Sequence, residues 1–213
     1  MASNGPVLTE RRNSAGEYLK FLHAWIRKPR QTASIVPSSP YLGRMMARQI
    51  DPNGGPVMEF GGGTGALTRE ILATGLPANH LEVVEIDATF ARNLHRSFPG
   101  VRIIEAPAQG VLAQAQGGAG GYQCVISGLP LLAMSKSLQK AILAEAFKLL
   151  QPGGAFIQFT YSPRPPLADC VADALDLGVE RVGTIVRNVP PATVFRYRRA
   201  ADIAGIDRPG ATL

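Results

Sequence analysis

The chain predicts an α/β fold, a mostly parallel sheet with helices on both faces, and three observations carry that prediction. Short apolar runs alternate with helical patterns from Val57 to Leu175. A glycine-rich turn, Gly61-Gly62-Gly63-Thr64-Gly65, follows directly on the first of those runs. The 213 residues, 46% of them hydrophobic, suffice for one core of this kind and little more.

The elements follow in order. Residues 1–15 are rich in Ser, Asn and Gly with charges and read as a disordered N-terminus. Residues 16–52 read as two N-terminal amphipathic helices. In Glu17–Lys28 the residues Tyr18, Leu19, Phe21, Leu22, Trp25 and Ile26 recur at helical spacing, with Lys20, Arg27 and Lys28 between them, and Pro29 stops the pattern. Ser38 or Ser39 can cap a second helix that starts at Pro40 and runs through Leu42, Met45, Met46 and Ile50. Residues 53–200 then form the sheet domain. Strands are expected over Val57–Phe60, Leu81–Ile86, Val101–Ile104, Tyr122–Ser127 and Ala155–Tyr161. Helices are expected over Leu67–Ala73, Phe90–Phe98, Leu138–Leu150 and Leu167–Leu175. Val179–Val186 and Ala192–Arg198 complete a seven-stranded, Rossmann-like sheet as an antiparallel edge pair. Gly117–Gly121 reads as a flexible loop, and residues 201–213 as a flexible C-terminus.

Composition narrows the partners. The net charge of +6, from 22 basic and 16 acidic residues, points to an anionic partner without choosing between nucleic acid and anionic lipid. No run of 18 apolar residues occurs, so no membrane-spanning helix is expected, and no apolar stretch follows the early arginines to make a signal peptide. Cys124 and Cys170 form no C-x-x-C pair and the three histidines have no ligand spacing, so a reduced cytoplasmic protein without a metal is expected.

The glycine turn defines the cofactor site. Gly61, Gly63 and Gly65 permit a tight turn whose N–H groups approach a ligand closely. Glu85, followed by Ile86 at the end of strand two, lies twenty residues after Gly65, where a carboxylate can accept from two ribose hydroxyls. Glu59, immediately before the loop, would repel a pyrophosphate but suits a cation. That favours S-adenosylmethionine, a sulfonium with no phosphate, over a dinucleotide. A second turn, Ser127-Gly128-Leu129-Pro130, ends strand four beside strand one. Its backbone carbonyls can accept from an amine and hold the nitrogen lone pair toward the methyl group. Ser127 also counts among the cofactor residues.

On these residues the chain resembles the bacterial phospholipid N-methyltransferases that convert phosphatidylethanolamine toward phosphatidylcholine, and their ornithine-lipid relatives. The resemblance runs from Trp25-Ile26 and Pro37-Ser38-Ser39 through Glu59–Gly65, Glu85, Gly128-Leu129-Pro130 and Leu149–Gly154 to Arg187-Asn188 and Pro190-Pro191-Ala192. Its middle motifs are common to many methyltransferases, and its two ends are more specific. There is a weaker similarity to ribosomal RNA adenine dimethyltransferases, which place an aromatic residue after the Pro of this turn to stack on the base. Here that position is Leu131, a poor stacking platform. Many enzymes of this class carry Gly-Asp-Ala after strand three. This chain has Ala106-Pro107-Ala108, so the adenine is left to backbone groups of Ala106 and the side chain of Gln109.

What the resemblance implies is a phosphatidylethanolamine N-methyltransferase that also takes the mono- and dimethyl forms, converts S-adenosyl-L-methionine to S-adenosyl-L-homocysteine, and works as a monomer. It would sit on the inner face of the cytoplasmic membrane, with Lys20, Phe21, Trp25, Arg27 and Lys28 on an anionic surface. Alternatives are an ornithine-lipid N-methyltransferase, an RNA adenine dimethyltransferase, or a non-catalytic cofactor- or membrane-binding module. Candidate substrate partners are Lys136, Tyr161, Arg164, Arg187 and Asn188, the arginines because a guanidinium matches phosphate oxygens with paired donors. Tyr41 is the candidate hydroxyl donor and proton acceptor.

Overall fold

The computed structural model describes residues 40–188 and 190–204. The expected helix over Glu17–Lys28, its candidate membrane residues Lys20, Phe21, Trp25, Arg27 and Lys28, and the capping serines Ser38 and Ser39 lie outside the described residues, as do residues 205–213.

Seven strands form one sheet: β1 (Val57–Phe60), β2 (Leu81–Glu85), β3 (Arg102–Glu105), β4 (Tyr122–Ser127), β5 (Leu150–Thr160), β6 (Leu177–Ile185) and β7 (Ala192–Arg199). Their order across the sheet is β3-β2-β1-β4-β5-β7-β6. The first five run parallel, and β7 inserts antiparallel between β5 and β6. β1 is buried along its whole length, so its apolar residues do not alternate with exposed polar ones, and even Glu59 within it is buried. The chain leaves β1 toward β2 but returns later to place β4 on β1's other side. The loops after β1 and β4 therefore diverge, opening a crevice at the C-terminal ends of the strands.

The described helices are α1 (Pro40–Ala47), α2 (Ala66–Leu72), α3 (Ala88–Ser97), α4 (Lys136–Leu149), α5 (Asp169–Ala174) and α6 (Ala200–Ala204). Alternate strand residues feed two cores. One gathers Val57, Val83, Ile126 and Ile157 with Leu42 and Met46 of α1, Leu67 and Ile71 of α2, and Leu94 of α3. The opposite strand face buries Met58, Phe60, Val125 and Phe156, and α4, packed on β4 and β5, buries Ile142, Leu143 and Phe147. Two helix starts are fixed by side-chain caps. Asp87 accepts from the N–H groups of Thr89 (2.7 Å) and Phe90 (3.0 Å), and Ser135 accepts from Leu138 N–H at 3.3 Å.

Three sequence expectations shift. β5 begins at Leu150 rather than Ala155, because Leu150 already pairs with Tyr122 and a register irregularity between Tyr122 and Cys124 absorbs the extra residues. Gly117–Gly121 is tethered rather than free: Gly117 N–H donates to the Tyr122 hydroxyl at 3.0 Å and Gly120 N–H to the Lys148 carbonyl at 2.9 Å. Helix α6 continues ordered structure past residue 200, where a flexible tail was expected.

Candidate functional site

The crevice is built first from the loop after β1. Gly61, Gly63 and Gly65 all adopt positive φ, at 80°, 51° and 78°, where a side chain is strained. Space separates their roles. A Cβ at Gly65 would lie 2.4 Å from Phe98, one at Gly62 2.4 Å from Val83, and one at Gly61 2.8 Å from Leu129. A Cβ at Gly63 would meet nothing within 4 Å. Gly61, Gly62 and Gly65 are therefore held small by packing, while Gly63 faces open space. Its N–H donates to Glu85 Oε2 at 2.8 Å, and the other oxygen of that carboxylate accepts from Asp87 N–H at 2.8 Å. Glu85 thus ties the end of β2 to the glycine loop. Burial raises its pKa and the backbone donors work against that rise. Each oxygen keeps a lone pair for a ribose hydroxyl.

Glu59 differs from the free anion the sequence suggested. It is fully buried, and the Thr68 hydroxyl donates to its Oε2 at 2.8 Å. Burial lifts its pKa from 4.5 to about 8 against the lowering effect of Thr68, with nearby Glu85 adding to the rise. Burial therefore favours its neutral form near pH 7. Its Oε1 is buried without a partner, as is Gln109 Oε1 beyond β3. Ala106 N–H donates to the Glu85 carbonyl at 3.2 Å, drawing the loop after β3 against β2. Ala106 and Ala108 are buried, whereas Ile86 and Pro107 are partly exposed. Two orphaned buried acceptors, an open face at Gly63 and an anchored carboxylate fit a cationic nucleoside.

The turn after β4 is braced against this loop. Gly128 N–H donates to the Phe60 carbonyl at 2.8 Å, and a Cβ at Gly128 would lie 3.0 Å from the Gly61 carbonyl oxygen. Ser127 is fully buried and its Oγ accepts from Leu129 N–H at 3.2 Å, so it shapes the turn. The expectation that the turn carbonyls as a group receive an amine narrows here. The Leu129 carbonyl already accepts from Leu131 N–H (2.9 Å) and Gln158 Nε2 (2.9 Å), and the Pro130 carbonyl from Ala133 N–H (3.0 Å). Among the described residues the Gly128 carbonyl accepts no hydrogen bond. Leu131 is 1% exposed and offers no surface to a base.

The sheet topology brings Tyr161, Arg164, Arg187 and Asn188 to this same edge, because β5 ends and β6 ends there. Tyr161 is bonded to the Asn188 side chain, and burial raises its phenol, so it keeps its proton. Asn188 is buried and donates to the Pro190 carbonyl at 2.7 Å. Arg164, Arg187 and Lys136 are exposed and form no ion pair among the described residues. Tyr41 stands half-exposed at the start of α1, and nothing in the hydrogen bonding ties it to the turn. Sequence reasoning missed Thr68, Asp87, Gln139 and Gln158. Gln158 carried a signal: it is the polar residue inside the run Ala155-Phe156-Ile157-Gln158-Phe159.

No family model matches the chain. Over 152 residues it is 32% identical to the ornithine lipid N-methyltransferase of Singulisphaera acidiphila, a match that covers 69% of this chain and 79% of that protein. The fold is shared with the 1,6-didemethyltoxoflavin-N1-methyltransferase of Burkholderia thailandensis, solved with S-adenosylhomocysteine, at TM-score 0.59 and 15% identity over 92% of this chain and 93% of that one. It is shared also with the CurJ carbon methyltransferase, at TM-score 0.57 and 14% identity over 87% of this chain, which spans 59% of that structure. The curated relative acts on ornithine lipid by name, not on phosphatidylethanolamine, and no RNA adenine dimethyltransferase is among these matches. S-Adenosylmethionine is the cofactor, and the chain belongs to the family of the Singulisphaera ornithine lipid N-methyltransferase, with a class I S-adenosylmethionine-dependent methyltransferase fold.

Proposed function

We propose that this methyltransferase acts on the headgroup amine of a membrane lipid, with ornithine lipid favoured over phosphatidylethanolamine. The family relationship supports the choice of lipid. The observation that carries the chemistry is the Gly128 carbonyl, left without a hydrogen bond on a turn braced to the glycine loop. Glu59, Gly63, Glu85 and Gln109 would hold the cofactor. Bound S-adenosylmethionine supplies a methyl carbon on a sulfonium, which takes the lone pair of a neutral amine as its bond to sulfur breaks. The chain's own contribution is alignment and exclusion of water. The Gly128 carbonyl accepts an N–H and turns the nitrogen lone pair inward, and the proton lost by the ammonium passes to solvent. Arg164, Arg187 and Lys136 at the rim suit a carboxylate or phosphate of the headgroup and the anionic surface around it. The protein would then work peripherally on the inner face of the cytoplasmic membrane, as a monomer.

The test is methyl transfer from labelled S-adenosylmethionine to vesicles, with products resolved by mass. Ornithine lipid, phosphatidylethanolamine with its mono- and dimethyl forms, and unmodified ribosomal RNA are offered in parallel. Stepwise gains of one methyl on ornithine lipid support the proposal. Gains confined to phosphatidylethanolamine restore the substrate first expected from the sequence. A methylated RNA with no lipid product overturns both.

A further inference from the structure

We propose that Gln158 is a substrate-positioning residue: its carboxamide oxygen takes one N–H of the amine to be methylated, while its NH2 holds the turn after β4 in place. The inference rests on the lipid-amine reading above and adds a second acceptor to the Gly128 carbonyl.

Gln158 lies on β5, paired with Ser127, which is paired in turn with Phe60, the last residue of β1. It is 1% exposed. Its Nε2 donates to the Leu129 carbonyl at 2.9 Å and to its neighbour Phe159's carbonyl at 3.0 Å. Those two carbonyls fix the orientation of the amide. Reversing it would set its oxygen against two carbonyl oxygens and lose both hydrogen bonds. Oε1 is therefore the atom that remains, and it is buried with no partner. A buried acceptor without a donor is costly.

Gln139 of α4 supplies the contrast. It braces the same turn, donating through Nε2 to the Leu131 carbonyl at 2.8 Å and the Met134 carbonyl at 3.4 Å, and its Oε1 accepts from Ala168 N–H at 3.1 Å. That amide is saturated, as a purely structural one should be. Gln158 braces the residue next to Gly128 and keeps an acceptor in reserve.

A neutral primary amine brings one lone pair and two N–H groups. With both N–H groups held, by the Gly128 carbonyl and Gln158 Oε1, the lone pair has one direction left. A secondary amine has one N–H and a tertiary amine none, so Gln158 acts most on the first transfer and not on the third.

Three forms of the full chain separate this role from bracing: unsubstituted, Gln158→Met and Gln139→Met. Rates are compared at saturating cofactor on ornithine lipid and on its dimethylated form in mixed micelles, and S-adenosylhomocysteine affinity is measured by calorimetry. Gln158→Met should slow the primary amine by about tenfold or more and the tertiary amine by less than about threefold, the effect of one lost hydrogen bond. Gln139→Met should slow both alike. Equal slowing of both amines by Gln158→Met, or no slowing, overturns the proposal. In the unsubstituted protein the assigned Gln158 side-chain NH2 resonances should shift on adding Nα-acetylornithine and stay fixed on adding its Nδ-trimethyl form. Identical responses overturn the proposal even if the variant fails to fold. Absence of transfer to any lipid amine by the unsubstituted chain refutes the function and this role together, whereas transfer with a flat variant refutes the role alone.

Discussion

Glu59→Gln tests the buried carboxyl beside the glycine loop through stability rather than turnover. With its pKa raised from 4.5 to about 8 in the folded chain, Glu59 stays protonated across a range where the unfolded chain has released its proton. Its contribution is fully present below pH 4.5, falls as pH rises, and levels off above 8. At ~1.4 kcal/mol for each tenfold change in proton affinity, the difference across that window is at most about 5 kcal/mol. Glutamine has the same shape, keeps an oxygen for the Thr68 hydroxyl and does not titrate. The variant should match the parent near pH 4.5 and exceed it by up to about 5 kcal/mol near pH 9, less whatever the structure recovers by relaxing. The assay is urea unfolding of both proteins at half-unit pH steps from 4.5 to 9, plotted as a difference so that titrating groups not coupled to Glu59 cancel and Glu85, which is coupled to it, adds only a minor part. A flat difference would mean that water or a rearranged side chain solvates Glu59, and the argument from burial would fail. A difference favouring the parent at high pH would show Glu59 ionised and paired in the unliganded protein.

Cofactor binding should report the same group from the other side. If a cation draws a proton from Glu59, affinity for S-adenosylmethionine climbs as pH rises toward 8 and then levels, and Glu59→Gln removes the climb in calorimetric titrations. Gly63→Ala should leave the fold standing, at a cost of about 1–2 kcal/mol for its positive φ, yet weaken the cofactor, whereas Gly65→Ala, whose Cβ would lie 2.4 Å from Phe98, should lower the melting temperature more and act on the fold itself. Asp87→Ala removes the cap of α3 and should cost about 1 kcal/mol by denaturant unfolding, with a further loss if the loop around Glu85 loosens. Tyr122→Phe deletes the hydroxyl that donates to Glu82 at 2.5 Å, at the opposite end of β4 from the turn, and should cost about 1–3 kcal/mol while leaving the methyl-transfer rate unchanged.

Local signals in the sequence located most of the fold. Gly61–Gly65 after a short, mostly apolar strand, and Glu85 at the end of the next, fixed the crevice because loop and acid lie on adjacent parallel strands, where register leaves little choice. Side-chain partners chosen by tertiary packing were not legible. Nothing in the order of residues says that Thr68 reaches back to Glu59, or that the Leu129 and Pro130 carbonyls are taken while that of Gly128 is left. The candidate substrate arginines were chosen for charge, and charge alone does not aim a side chain: Arg164 and Arg187 stand exposed.

The departures from the common pattern bear on how the site holds its shape. At two places this site lacks a polar side chain: Gly128 stands before Leu129-Pro130, and Ala106-Pro107-Ala108 stands where many enzymes of this class carry Gly-Asp-Ala. Removing two side chains from a ligand site should loosen it unless the backbone is fixed from elsewhere. Here it is fixed three ways. Gly128 N–H bonds to the Phe60 carbonyl, the Gln158 amide holds the Leu129 carbonyl, and the Gln139 amide holds those of Leu131 and Met134. Both amides are at least 96% buried, where a satisfied hydrogen bond resists exchange with water. The absence of a Cβ at Gly128 lets this turn approach the Gly61 carbonyl to a distance that any other residue would crowd. The turn composition, read alone, was compatible with either a lipid amine or a nucleobase because composition does not say which backbone carbonyls are left unbonded.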